Sequence, residues 1–273
     1  MNTDIEQQEP ELPAQLAQLA LPRSAGRVLA ACAGCSSLCA DLPLRDPLAE
    51  RVFAYLGGKL EQFTTGELRC AAFRAHVVDQ LANDYFQRTP NGLGVGVWSL
   101  LGTRAHRLER TRWVDVDPPA VARLRSHLFP DRPRWLQLGS CLCNPTWVDA
   151  VHGKSGRNLL FVLDESVLPL RGSTMMLLLD ALSRRARAGS ELLIAFDAQT
   201  PLRPSLPLRR GAALELVLRD GAGQDGIVRY PRLRFVADDL YPKDLATSVA
   251  GVNAVARLHH GIGTPALAHL KLV

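Results

Sequence analysis

Short apolar runs separated by helical stretches begin at about residue 93, and this alternation constrains the fold more than any other feature of the chain. Gly94 to Leu100 reads as a first strand, Trp113 to Asp117 as a second and Arg134 to Leu138 as a third. Leu159 to Asp164 and Glu191 to Phe196 read as a fourth and fifth. The fourth is nearly all apolar, as a strand buried on both faces must be. Between these runs lie a helix opened by Pro118-Pro119, a short one starting at Asn144-Pro145-Thr146-Trp147, and one over Ser173 to Arg187. Such alternation predicts an α/β fold with a doubly wound, parallel sheet. The tail adds β-like pieces at Leu214 to Leu218 and Ile227 to Phe235, a helical stretch after Asp238, and a last strand near Leu267 to Val273.

Upstream of residue 90 the pattern is helical. Pro13 to Ala20 is one helical piece, and Asp46-Pro47-Leu48-Ala49-Glu50 opens a second that ends at Gly57-Gly58. Asp46 is a good N-cap, with proline at the first helical position. A long amphipathic stretch runs from Glu61 to Arg88. The expected organisation is a helical cap over residues 1–90 on a sheet domain over residues 91–273, together one integrated unit.

Composition narrows the function classes. With 47% apolar residues there is ample material for a core, which excludes a disordered chain. The net charge of +5 gathers into no basic block, so nucleic-acid and membrane-surface partners are not expected, and the excess hints weakly at anionic small molecules. No apolar run reaches the length of a membrane span, and Met1 to Glu11 is acidic and polar, unlike a signal peptide. A cytoplasmic location with reduced cysteines is the expectation. Cys32, Cys35 and Cys39 are spaced C-x2-C-x3-C, which zinc or an iron–sulfur cluster could use. The same spacing puts small apolar side chains on one face of a helix, and packing is the preferred reading. Neither His106 nor the pair His259-His260 has partners at metal-ligand spacing, so no metal is expected.

Ligands of open α/β sheets bind beyond the carboxyl ends of the strands. In this chain those positions hold Trp98 to Arg104, Asp117, Gly139 to Asn144, and Asp164-Glu165-Ser166. An acid ending the second strand can hydrogen-bond a ribose diol, although acids in that position also cap helices.

Several of these segments resemble, in order and spacing over residues 35–200, the leucine carboxyl methyltransferase superfamily, which includes the tetracenomycin-type polyketide O-methyltransferases. Leu101-Gly102-Thr103-Arg104-Ala105-His106-Arg107-Leu108 is similar to that family's L-D-T-R-A-Y-R-L. Val114 to Val121 resembles its E-V-D-L-P-E-V, Asn144-Pro145-Thr146-Trp147 its D-P-x-W, and Asp164 to Leu168 its A-E-G-V-L. Asp46-Pro47-Leu48-Ala49 and Phe73 to Asp79 resemble two further elements, D-P-x-A and A-R-T-R-x-x-D. The resemblance implies a class I methyltransferase fold, Rossmann-like, with a seven-stranded, mostly parallel sheet. It also implies S-adenosylmethionine (SAM) as ligand. Arg74 and Arg104 would hold the SAM carboxylate and Asp117, followed by Pro118, the ribose hydroxyls. Cys141 and Leu142 would line the adenine and Glu165 would lie near the methionine amino group, with Trp98, Ser99, Leu100 and Ser166 among the other cofactor-binding residues.

The departures from the family carry their own chemistry. The family's first loop is G-x-G-L-D-T-R, whereas Trp98, Leu100 and Gly102 stand here for its two glycines and its aspartate. The family's aspartate after the third strand is replaced by Cys141, and its tyrosine near Pro169 is absent. Bulky side chains beside the methionine tail would favour a bent conformer in which the amine of SAM attacks its own chain. The product would be azetidine-2-carboxylate, with methylthioadenosine released, and the overall chain resembles the azetidine-2-carboxylate synthases of this lineage. Trp98 could face the sulfonium through a cation–π contact, worth ~1 kcal/mol, or pack in the core. Glu165 or Asp164 would orient or deprotonate the amine. Asn144 could offer its carbonyl to the amine or cap the next helix. A small-molecule O-methyltransferase and a non-catalytic SAM-binding module are the alternatives, and the sequence leaves the oligomeric state open.

Overall fold

Both faces of β4 (Leu159–Leu163) are fully buried, and its alternating side chains face two different helical layers. Leu160 and Val162 join the cluster of the N-terminal helices, whereas Leu159, Phe161 and Leu163 join the cluster on the opposite face. The computed structural model that reveals this describes residues 21–39, 42–108, 110–155, 158–164, 170–196, 202–204, 209–219, 225–236 and 266–273.

The first layer consists of α1 (Arg23–Leu38), α2 (Pro47–Tyr55) and α3 (Thr65–Arg88). Asp46 caps α2 by accepting from the Ala49 amide at 2.9 Å, with proline at the first position. The chain leaves α2 through Gly57 at φ +65°, a left-handed stop that glycine adopts without strain. Thr64 and Glu67 form a reciprocal capping box at the start of α3. Cys32 and Cys35 lie on α1 and Cys39 caps it, and all three thiols are buried within the core cluster, the packing role their spacing predicts.

The sheet begins with β1 (Leu93–Val97), β2 (Arg112–Asp117), β3 (Trp135–Gly139), β4 and β5 (Glu191–Phe196), all parallel. Helical segments connect them: α4 (Arg104–Arg107), α5 (Pro119–Leu128), α6 (Thr146–Ser155) and α7 (Gly172–Arg185). The opposite face is covered by α6 and α7 through Trp147, Val151, Leu178 and Leu182. Four further strands are β6 (Leu202–Pro204), β7 (Ala213–Arg219), β8 (Asp225–Phe235) and β9 (Ala266–Leu272).

The strand order is β3-β2-β1-β4-β5-β9-β8-β7-β6. This corrects the expectation of seven mostly parallel strands. The described sheet has nine, and every pairing beyond β5 is antiparallel. The physical reason is visible in β7, where buried Leu214 and Leu216 alternate with partly exposed Glu215 and Val217, a pattern suited to an antiparallel extension with one face solvated. The expected helical pieces at Pro13 to Ala20 and after Asp238, and His259-His260, lie outside the described residues. No helix of the described residues is long and apolar enough to cross a membrane.

Glu191 ties the two halves of the sheet to α3. It pairs with Arg88 at 2.9 Å and with His269 of β9 at 2.7 Å. Burial alone would raise its carboxyl, but hydrogen bonds from His269 and Arg88 outweigh that and hold it down at about 2. Folding therefore gains stability from this group above its unfolded range near 4.5, and loses it as pH falls toward 2. Glu191→Gln is expected to cost about 2–3 kcal/mol at pH 7. In urea titrations its deficit relative to the parent should shrink steadily between pH 4.5 and the folded value of about 2.

Candidate ligand site at the sheet switch point

The chain runs outward from β1 through β2 to β3, then returns to the other side of β1 as β4, so the carboxyl ends of β1 and β4 flank the switch in strand order. This is where open α/β sheets bind ligands. Arg104, at the start of α4 after β1, and Asp164, directly after β4, meet there at 2.7 Å. Arg74 of α3 lines the same small crevice, together with Val28 of α1 and Ala71, Ala75 and Val78 of α3. Three predicted site residues thus converge, with two helices of the N-terminal layer laid over them.

The Arg104 guanidinium is fixed from behind. Its Nε donates to Asp79 Oδ1 at 2.8 Å, and Asp79 also receives Arg107 Nε at 2.6 Å. Arg107 Nη1 reaches Asp46 Oδ2 at 2.6 Å and Thr103 Oγ1 at 2.9 Å. Asp46, the cap of α2, thereby links the N-terminal helices to the β1 loop. Burial works against the charge on Arg104 and Arg107, but the neighbouring carboxylates outweigh it and hold both protonated. A fork held on one side by Asp79 and paired on the other with Asp164 has the geometry that suits recognition of a carboxylate.

A second buried network supports the loop from below. Trp113, Asp115 and Asp117 share one face of β2, and each is buried. Asp115 accepts from Ser99 Oγ at 2.5 Å, Trp113 Nε1 at 2.9 Å, Trp135 Nε1 at 2.7 Å and Arg125 Nη2 at 2.6 Å. Arg125, fully buried on α5, also donates to the carbonyls of Leu100 and Gly102 and stacks over Phe129 at 4.5 Å. Gly94 and Gly96 make room for this network. A Cβ on Gly94 would lie 2.1 Å from the Trp113 ring, and one on Gly96 would lie 2.2 Å from Asp115 Oδ1.

Asp117 has no exposed surface. Its Oδ1 accepts from the Leu100 amide at 2.8 Å and its Oδ2 from Gln137 Nε2 at 2.9 Å, while burial pushes the carboxyl up to about 6. In this arrangement it anchors the β1 loop, and a ribose would reach it only if Leu100 withdrew. Pro118 follows as the lead-in to α5, half-buried.

The loop itself keeps a glycine-like backbone without the glycines. Trp98 and Leu100 both sit at positive φ, 59° and 50°. Leu100 is buried against Ala25 of α1 and Val121 of α5, with half-buried Trp98 packed beside them. The turn closes through Gly102 N donating to Ser99 O at 2.7 Å. Leu100 therefore fills, rather than lines, this end of the site.

The remaining expectations fall as follows. Cys141 is exposed on the turn after β3, and Leu142 is buried in the core of the far face. Asn144 is exposed and its Oδ1 accepts from the Thr146 amide at 3.1 Å and hydroxyl at 2.8 Å, so it opens α6 rather than serving a ligand amine. These bonds are those of the helix-capping alternative that the sequence offers for Asn144. Glu165 and Ser166 lie outside the described residues. His106 packs between Phe129 and Trp135 with its imidazole pKa lowered by burial, and Trp147 is core. Sequence reasoning assigned no role to Asp79, Arg107, Asp115, Arg125 or Gln137.

No family model matches the chain. A 90-residue stretch is 31% identical to the tetracenomycin polyketide synthesis O-methyltransferase TcmP of Streptomyces glaucescens, covering 32% of this chain and 33% of that protein. The chain thus matches a third of that relative's length. Among solved structures, a putative methyltransferase from Thermobifida fusca is 14% identical with a TM-score of 0.45, over 90% of this chain and 94% of that one. The glycopeptide N-methyltransferase MtfA, complexed with SAM, is 11% identical with a TM-score of 0.37, over 71% of this chain and 94% of that one.

Leu100→Ala and Leu100→Gly remove the same buried side chain but differ in the backbone they permit. Glycine is ordinarily the less stable of the two by ~1 kcal/mol. At a left-handed position the order reverses, so Leu100→Gly is expected to exceed Leu100→Ala by about 1 kcal/mol in chemical denaturation. Equal stability would contradict the conformation of this loop.

Proposed function

We propose that this chain is a SAM-utilising enzyme of the methyltransferase type, with its site in the crevice of Arg74, Arg104 and Asp164. The observation that carries the reading is the Arg104–Asp164 pair at the switch point, 2.7 Å apart. An amino-acid zwitterion replaces such a pair in kind. Its carboxylate takes the Arg104 fork, supported by Arg74, and its ammonium takes Asp164. Asp79 keeps Arg104 oriented through the exchange, since its bond to Nε is on the side away from Asp164. The 31% likeness to an O-methyltransferase points to SAM as the molecule carrying that zwitterion.

SAM supplies a sulfonium whose attached carbons are electrophilic. The finer reading is cyclisation to azetidine-2-carboxylate. Asp164 then accepts a proton from the ammonium, a C–N bond forms at the methylene beside sulfur, and the C–S bond breaks to release methylthioadenosine. Two features support it: Trp98 and Leu100 fill the loop where the family has glycines, and α1 closes over that loop through Ala25. Both crowd the tail and exclude water, which a strained ring closure requires. Transfer of the methyl group to a small-molecule carboxylate or hydroxyl is the second reading, favoured by the O-methyltransferase likeness itself.

Incubation of the pure protein with SAM alone, followed by mass spectrometry, separates them. Cyclisation is expected to yield azetidine-2-carboxylate and methylthioadenosine in equal amounts without any acceptor. Intact SAM that becomes adenosylhomocysteine only when an acceptor extract is added would establish methyl transfer and remove the cyclase reading.

A further inference from the structure

Of the six cysteines, only Cys141 and Cys143 are exposed. They stand at the first and third positions of a turn closed by the Asn144 amide donating to the Cys141 carbonyl at 3.0 Å. A turn of this kind brings its ends within ~7 Å, so its first and third Cα atoms fall near the roughly 4.4–6.8 Å that a disulfide spans. Leu142 between them is buried and pins the turn to the core. We propose that Cys141 and Cys143 form a redox-active dithiol that closes to a disulfide within the turn by exchange with a low-molecular-weight disulfide.

The neighbouring Cys141 raises the Cys143 pKa, as a second thiol close by does. One of the two thiolates attacks one sulfur of the small disulfide, forms a mixed disulfide and expels one thiolate. The other thiol then attacks the protein sulfur of that mixed disulfide, expelling the second thiolate. Two protein thiols are oxidised, one small disulfide is reduced to two thiols, and the two protons end on the departing sulfurs. The turn is tied to the site because the Ser140 amide donates to the Asp117 carbonyl at 2.8 Å, so closure acts on the end of β2.

Trypsin releases residues 135–154 as one peptide holding both thiols and no other cysteine. After incubation of the full chain with oxidised glutathione, that peptide is expected to lose two hydrogens and resist alkylation. Cys143→Ser and Cys141→Ser should each trap a glutathione adduct on the remaining thiol, at least tenfold more than the parent retains. A parent peptide whose thiols both remain alkylatable would overturn the proposal, as would a parent that retains as much adduct as the single variants. The effect on the site rests on the function proposed above: the oxidised protein is expected to bind SAM at least fivefold more weakly in calorimetry. Absence of SAM binding in both redox states would count against that function, while the peptide masses decide the dithiol.

Discussion

Three buried guanidinium groups hold the loop after β1, and the candidate site depends on how their charge is balanced. Arg104 and Arg107 are compensated by Asp79, Asp46 and Asp164, and Arg125 by Asp115 and Asp117. Burying such groups costs several kcal/mol per ion, which is recovered only where geometry is good and every donor has an acceptor. Almost all of this charge is locked away in bonds that also join α2, α3 and α5 to the sheet. Asp164 differs in that it directly follows a strand at the switch point and pairs with Arg104 across the crevice. The Arg104–Asp164 pair thus stands at the switch point, where open α/β sheets receive ligands.

The same economy explains the glycines. A loop that must approach a ligand closely normally places glycine at its left-handed positions. Here the left-handed positions carry Trp98 and Leu100, and glycine instead occupies Gly94 and Gly96 within β1, where the Trp113 ring and Asp115 press against the backbone. The strain of two left-handed side chains, of order 1–2 kcal/mol each, is offset by burial of Leu100 and by the Leu100 amide bond to Asp117. The cost falls at the boundary between the β1 loop and the α1 layer.

Much of this was legible in the sequence. The five parallel strands follow from their apolar runs, the α2 cap from Asp46-Pro47, and the convergence of Arg74, Arg104 and Asp164 from their places in separate motifs. The antiparallel half was legible only as isolated β-like pieces, because its alternating pattern carries no information on which strand it joins. Asp115 escaped notice although it lies two residues before Asp117 and hence on the same strand face. Two acids on one face of a buried strand require a buried cation, but that cation, Arg125, is supplied from α5 across the sheet and has no sequence spacing to reveal it. Likewise, nothing in Asp117 itself distinguishes an acid that faces a ligand from one that faces its own loop.

The central claim is that the amino-acid tail, not the nucleoside, is held by Arg104. Titration calorimetry of SAM and of methylthioadenosine, which lacks that tail, into the parent and Arg104→Lys tests it most directly. Lysine retains the charge but not the fork. The account predicts that Arg104→Lys weakens SAM by roughly 10–100-fold, the worth of a lost charge-assisted bond, and leaves methylthioadenosine unchanged. Equal SAM affinity in the two proteins would contradict it.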